Sequence, residues 1–287
     1  TFTNLEIIVV DDCGQDDAIR KALLWQEKDS RIKIVHHDNN LGTYHARHSG
    51  VVVAKGEYVI FLDPDDTLTP NALEILNKLT PTRPDILLFG HREIPDKKIY
   101  QIPVTVPKVD GYLITHSDIK KILTHKGFQV GTSGKAYKRN IISEAFASLN
   151  VPKDIRLIYG EDVLVFTKAF ALAQSIKSTQ EKVYLYHQEE TSISNQQNQE
   201  TVLFKMKQLK YVIHMLNSVA NSDSIKNLTY QTIIKRLTAD LLVLENKTNI
   251  TFINRIKNYY SLTLLTRNFR WTIKALLHIL TFGFKTY

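Results

Sequence analysis

The stretch Glu57-Tyr58-Val59-Ile60-Phe61-Leu62-Asp63-Pro64-Asp65-Asp66 decides the fold. A run of β-branched and aromatic residues stops abruptly at three carboxylates around a proline, as a strand does when it is buried along its length and ends at a polar edge. The same pattern occurs upstream, where Leu5-Glu6-Ile7-Ile8-Val9-Val10 ends on Asp11-Asp12. Between the two, residues 16–28 and Gly42–Ala54 read as helices and Arg31–His36 as a further strand. Downstream, the spacing predicts a helix from Pro70 to Leu79 with Thr69 as N-cap and Pro70 in its first turn, then an apolar strand over Asp85–Gly90. This βαβαβ order predicts an α/β fold with an open, mostly parallel sheet flanked by helices. Ligands of such sheets bind beyond the carboxyl ends of the strands, so Asp11-Asp12 and Asp63-Pro64-Asp65-Asp66 are expected to face one cleft.

Those residue types suggest a chemistry. Asp63 and Asp65 at a strand end repel one another, and a hard divalent cation, Mn²⁺ or Mg²⁺, relieves that repulsion while bridging to a diphosphate. His187, ending the strand-like Tyr184-Leu185-Tyr186-His187, either offers a nitrogen ligand or is a structural histidine. The other reading of the acidic turn is that Asp66 or Thr67 caps the next helix. Asp11 or Asp12 can accept hydrogen bonds from a uracil N–H or ribose hydroxyls, or can cap the helix that follows. Asn40, with Leu41-Gly42, and Arg47 can sit near phosphate or base, or Arg47 is a solvated side chain at a helix start. Lys135, in Gly134-Lys135-Ala136-Tyr137-Lys138-Arg139, either contacts phosphate or acceptor or belongs to a solvated basic loop. Glu161-Asp162, preceded by Gly160 and followed by Val163-Leu164-Val165-Phe166, puts carboxylates at a helix start. The helix dipole favours them there, and Asp162 can serve as a general base toward an acceptor hydroxyl.

The chain has 287 residues and 43% hydrophobic content, enough for a large domain with a smaller appendage. Residues 1–198 are expected to form the catalytic domain and 199–287 a basic helical region. Within the first, 91–160 is less regular, with a strand-like Lys98–Val106, and suits an acceptor-facing insertion. In the second, Val202, Met206, Leu209, Ile213 and Leu216 recur at helical spacing, as do Ile234, Leu237, Leu241 and Leu244. The net charge of +8 is concentrated there: from Phe204 onward Lys and Arg outnumber Asp and Glu by 13 to 3, against 24 to 26 before it. No nucleic-acid motif accompanies this basicity, so nucleic acid is not an expected partner. Phe269, Ile273, Leu276, Leu277, Leu280 and Phe284 form one helical stripe beside Arg267, Arg270, Trp271 and Lys274. It reads as an interfacial helix on an anionic membrane surface, or as a helix packed on the catalytic domain. Lys274 and His278 interrupt the longest apolar run, so no membrane-spanning helix is predicted. Thr1-Phe2-Thr3-Asn4-Leu5-Glu6 lacks the features of a signal peptide. The single Cys13 cannot make an intrachain disulfide. A cytoplasmic, membrane-peripheral location is therefore expected.

Taken in order, Leu5–Asp12, Asp29–Ile32, Asn40–Gly42, Ala46-Arg47, Gly56–Tyr58 and Phe61–Asp66 closely resemble the family 2 glycosyltransferases of GT-A type. Gly134-Lys135, Glu144–Leu149, Glu161–Leu164, Tyr186-His187 and Ser192–Ser194 look like the bacterial β-1,3-galactosyltransferases that extend lipooligosaccharide. The resemblance implies a UDP-sugar donor, with UDP-galactose for the subfamily. It implies Asp11 or Asp12 at the uracil, Asp65 as principal metal ligand supported by Asp63, Asp162 as base, inversion at the sugar, and a glycan or lipid-linked glycan acceptor at the inner membrane surface. The family normally begins with a strand carrying a Pro-x-Tyr-Asn-like motif and a helix. This sequence starts beyond both, so the sheet is expected to lack that strand. Three other readings remain. A sibling transferase could move glucose, N-acetylglucosamine or N-acetylgalactosamine from its UDP-sugar into capsule or lipopolysaccharide. Val59–Leu68 resembles the first motif of haloacid-dehalogenase-type phosphatases, although that motif normally opens the sheet and has glycine at the place of Asp66. A chain with a degenerate catalytic domain could instead act as a membrane-surface binding protein.

Overall fold

The alternating N-terminal signals become β1 (Ile7–Asp11), α1 (Ala18–Gln26), β2 (Ile32–His36), α2 (Thr43–Val53) and β3 (Tyr58–Ile60) in a computed structural model of the chain. Residues 2–94, 110–113, 116–125, 127–187, 192–220 and 224–281 are described. They fall into two compact units, Thr1–Glu189 with Ser222–Thr229, and Glu190–Asn221 with Tyr230–Tyr287. In the first unit β1 and β2 pair in parallel, Ile7 opposite Ile32 and Asp11 opposite His36.

The chain continues through β4 (Thr67–Leu68), α3 (Ala72–Asn77), a 3₁₀ turn (Thr80–Thr82) and β5 (Ile86–Ile94). The expected Thr69 cap is not formed. α3 starts later, after Asn71 and without a side-chain capping bond, while the Thr69 N–H donates to the Val183 carbonyl at 2.9 Å and its hydroxyl is buried unpaired. Pairing of β4 with the last strand holds Thr69 in a ladder instead of releasing it to a helix terminus.

Then come β6 (Asp110–Leu113), α4 (His116–Leu123), β7 (Lys135–Lys138), α5 (Arg139–Leu149), α6 (Glu161–Leu172) and β8 (Ser175–His187). The larger sheet has the order β3-β7-β5-β8-β4, with β6 also on β8. It is mixed rather than mostly parallel: β5 and β8 run parallel, whereas β7 is antiparallel to β3 and β5, and β8 is antiparallel to β4 and β6. The source of the difference is β7. The segment read as an irregular insertion supplies a strand between β3 and β5, and α5 behind it buries Ile142 and Phe146 completely. The strand-like Lys98–Val106 lies outside the described residues.

Ile86, Leu87, Leu88 and Phe89 of β5 have no exposed surface, so both faces of the sheet are covered. Leu87 and Phe89 pack with Ala72, Leu76, Ala136, Val183 and Tyr184. Leu164, Phe166 and Phe170 of α6 are also buried, each such side chain contributing about 1.5–3 kcal/mol. This rigid centre fixes the strand ends and the start of α6, where the acidic residues sit.

The second unit is helical: α7 (Gln199–Val219), α8 (Ser224–Glu245) from Tyr230 on, α9 (Phe252–Thr266) and α10 (Arg270–Leu280). Asn198 caps α7 by accepting the Thr201 N–H at 2.8 Å, and Thr251 caps α9. Arg267 turns the chain in the left-handed region (φ 53°), and α10 follows with Trp271 stacked on Tyr259 at 6.2 Å. Among the described residues no helix is long and apolar enough to cross a membrane.

Candidate active site

At the end of β1, Asp12 clasps the loop that leads into α2. Its Oδ1 accepts the Leu41 N–H (2.8 Å) and lies 2.7 Å from His37 Nδ1, and its Oδ2 accepts the Gly42 N–H (2.8 Å). Gly42 has φ 91°, and a Cβ there would lie 2.8 Å from Ile158 Cγ2, so the loop needs glycine. Asn40 Oδ1 accepts from Arg156 Nε at 2.7 Å. Asp11 faces His36 Nδ1 (3.1 Å) and accepts the Gly14 N–H (3.2 Å); the His36 bond holds its carboxyl below the ordinary range. Asp12 and Asn40 therefore shape the loop as well as carrying groups a nucleotide could meet.

Arg47, on α2, lies between two acidic segments. Its Nη1 donates to Glu161 Oε1 (2.6 Å) and its Nη2 to Asp63 Oδ1 (2.7 Å), with only 12% of the side chain exposed. The guanidinium thus ties the end of the β3 segment to the first turn of α6. Burial opposes its charge, but Glu161, Asp63 and Asp162 hold its pKa above the usual value. Burial raises Glu161 to about 7, with Arg47 opposing and Asp162 reinforcing. Asp162 is also raised, first by burial; Arg47 and the Val163 N–H, which donates to Oδ1 at 2.8 Å, act the other way. Gly160, at φ 81°, turns the chain into this helix, and Gly131 leaves room for the carboxylate: a Cβ there would lie 2.5 Å from Asp162 Oδ2.

The acidic turn after β3 divides its labour. Asp66, read from sequence as a possible cap, is buried and ties the turn to β8: its Oδ2 accepts from the Tyr184 hydroxyl (2.6 Å) and its Oδ1 from the His187 N–H (2.9 Å). The same hydroxyl accepts the Asp63 N–H at 3.3 Å. His187 Nε2 lies 3.0 Å from Thr67 Oγ1. Asp65 is exposed, with no hydrogen-bond partner among the described residues. Among the described residues no three His, Cys, Asp or Glu side chains converge as a metal cage. An exposed Asp65, with Asp63 committing Oδ1 to Arg47, instead fits a cation that takes most of its ligands from a diphosphate, as Mg²⁺ and similar ions do in nucleotide sites.

Lys135, expected at phosphate or acceptor or in a solvated loop, is 1% exposed. Its ammonium donates to the Gln129 and Ser133 carbonyls at 3.0 Å and lies over Phe128 and Phe166. It braces the 129–134 loop from within and adds positive potential at Asp162. Nothing in its local sequence marks His91 as a site residue. It is buried against Tyr184 and Gly134 with both ring nitrogens unpaired, and burial lowers its pKa to about 3. Placed after the apolar Ile86–Phe89 run, it was legible only as the polar end of a strand.

The α/β unit, with the acidic segment after β3 tied through Arg47 to a carboxylate-headed helix, has the GT-A fold. Residues 1–146 match the description Glycosyl transferase family 2, and the chain belongs to that family. It is 24% identical over 197 residues to glycosyltransferase GlyG of Streptococcus pneumoniae (67% of this chain, 64% of the relative). It is 26% identical over 200 residues to the uncharacterized glycosyltransferase EpsJ of Bacillus subtilis (68% and 56%). The chain thus spans less than two thirds of these curated relatives. The crystal structure of S. aureus TarS 1–349 shares the fold at a TM-score of 0.62 and 16% identity, over 91% of this chain and 71% of that one. The same TarS segment in complex with UDP-GlcNAc gives a TM-score of 0.60 at 17% identity, with the same coverage.

Proposed function

We propose that this chain is an inverting glycosyltransferase that moves a sugar from a UDP-sugar to a hydroxyl of a surface-glycan acceptor, with Asp162 as base. The observation that carries the reading is the Arg47 bridge, which holds the Asp63 segment and the α6 carboxylates on one framework. In the reaction the acceptor O–H gives its proton to Asp162 Oδ2 while its oxygen bonds to the sugar C1. The C1–O bond to the diphosphate breaks on the opposite face, its electron pair leaves with UDP, and the anomeric centre inverts. Burial raises the pKa of Asp162, which makes it a stronger base than an ordinary aspartate. Mn²⁺ or Mg²⁺ held by Asp65 and Asp63 would supply charge neutralisation at the departing diphosphate. Glu161, through Arg47, orients rather than transfers.

Galactose is the donor sugar supported by the likeness of Gly134-Lys135, Glu144–Leu149 and Ser192–Ser194 to lipooligosaccharide β-1,3-galactosyltransferases. N-acetylglucosamine is the second reading, favoured by the UDP-GlcNAc complex of TarS. For the acceptor we take a glycan, free or lipid-linked, at the cytoplasmic face of the inner membrane. Phe269 (77% exposed), Ile273 (57%), Leu276 (55%) and Leu280 (74%) support this location, since they offer apolar surface beside Arg270 and Lys274 that suits an anionic bilayer.

The test is UDP release from a panel of UDP-sugars with Mn²⁺ and acceptor, wild type against Asp162→Asn. The substitution should slow turnover about 10²–10⁴-fold while UDP binding persists. Near-normal turnover in Asp162→Asn would sink the base assignment. Absence of UDP release from every donor would sink the transferase reading and leave the binding-protein reading ahead.

A further inference from the structure

The helical unit contains a cleft of about 370 Å³ that the transfer chemistry above does not use. Its lining brings together Lys247 from just beyond α8, Arg255 from α9, and Trp271 and Lys274 from α10. Arg255 Nη2 donates to the Thr248 carbonyl at 3.0 Å, but its Nε is buried without an acceptor, and so is Nδ2 of Asn246 on the same cleft. Buried N–H groups are rarely left unpaired, and these two belong to residues that line one cleft. Among the described residues no carboxylate forms an ion pair with Lys247 or Arg255, and the nearby Glu245 accepts from Asn258 Nδ2 at 3.4 Å. Burial and the charge of Arg270 hold the Lys274 ammonium below its ordinary pKa, a situation that a bound anion reverses. Arg255 and Lys274, the two orphaned donors, and Lys247, whose Nζ already gives one bond to Gln197 Oε1 at 2.6 Å, suit a group with several oxygens and more than one negative charge. A guanidinium also matches the fork of a phosphate.

We propose that this cleft is a phosphate-binding site, taking the phosphate of a phosphorylated sugar or of a lipid. The lining lies wholly in the second unit, and the test reads binding rather than transfer, so the proposal stands or falls independently of the glycosyltransferase mechanism. The chain has two tryptophans, Trp25 and Trp271, so in a Trp25→Phe background Trp271 reports on the cleft alone. Its fluorescence is titrated, at constant ionic strength, with pyrophosphate, with a hexose 1-phosphate, and with vesicles of phosphatidylglycerol or phosphatidylcholine. We expect a saturable response that weakens about tenfold or more in Arg255→Gln and severalfold in the exposed Lys247→Gln. Saturation by the soluble compounds assigns a free phosphorylated ligand, and saturation by phosphatidylglycerol alone assigns a lipid phosphate; either supports the site. No saturable response to any probe, or a response that both variants leave unchanged, overturns it.

Discussion

Glu161→Gln should remove a specific part of the pH dependence of folding stability. Glu161 opens α6, is buried, and places Oε1 2.6 Å from Arg47 Nη1. Burial raises its carboxyl from 4.5 to about 7. A raised folded pKa means that the folded chain holds the proton more tightly than the unfolded chain. The resulting stability is therefore full below 4.5 and is lost as pH rises through about 7. At about 1.4 kcal/mol per pH unit, the gap between 4.5 and about 7 corresponds to about 3 kcal/mol. His91 acts in the opposite sense. Its pKa is lowered from 6.5 to about 3, so its contribution is present above 6.5 and lost as pH falls. Wild type contains both effects, and subtracting the variant cancels that of His91 and leaves Glu161 with its influence on Asp162. Glutamine keeps an acceptor oxygen for Arg47 but cannot ionise. Urea unfolding followed by circular dichroism from about pH 4 to about pH 8 should show the wild-type-minus-variant difference falling by about 3 kcal/mol. A difference that stays constant across that range refutes the reasoning.

Three further substitutions probe the framework around the base. Gly134→Ala combines a positive φ of 67° with a Cβ that runs into the His91 ring, so it should cost about 1–3 kcal/mol in thermal unfolding. Adding His91→Ala should recover part of that loss, and an unchanged melting temperature in the single variant would refute the clash. Tyr184→Phe removes the donor to buried Asp66 Oδ2 and should destabilise by about 1–3 kcal/mol while weakening UDP-sugar binding by calorimetry. Wild-type stability would show that Asp66 has no need of that bond. Gly131→Ala places a methyl 2.5 Å from Asp162 Oδ2, so kcat should drop with the donor KM little changed. Equal effects on kcat and KM would show that the glycine serves donor binding instead.

Much of this site is written locally. The strands ending at Asp11-Asp12 and Asp63-Pro64-Asp65-Asp66, and the helix headed by Glu161-Asp162, each announce themselves in a few consecutive residues, because burial imposes a periodicity and a strand end or helix start demands polar groups. β7 could not be read this way. Lys135–Lys138 is four residues long with a lysine at either end, and its strand character comes from β3 and β5 pairing with it from both sides. The C-terminal stripe showed that α10 is amphipathic, while the cleft containing Arg255 and Lys274 arises only when α9 and α10 fold together.

The chain's composition and local patterns settle its α/β class, its acidic strand ends and its basic helical tail, since each depends on neighbours in the chain. Pairings between residues far apart in sequence required the folded chain. Asp66 engages Tyr184 across 118 residues, Arg47 engages Glu161 across 114, and Lys135 has backbone carbonyls and two phenyl rings around it in place of the expected phosphate, acceptor or solvent. A charged side chain's role is set by whichever groups share its low-dielectric surroundings, and packing alone chooses those groups.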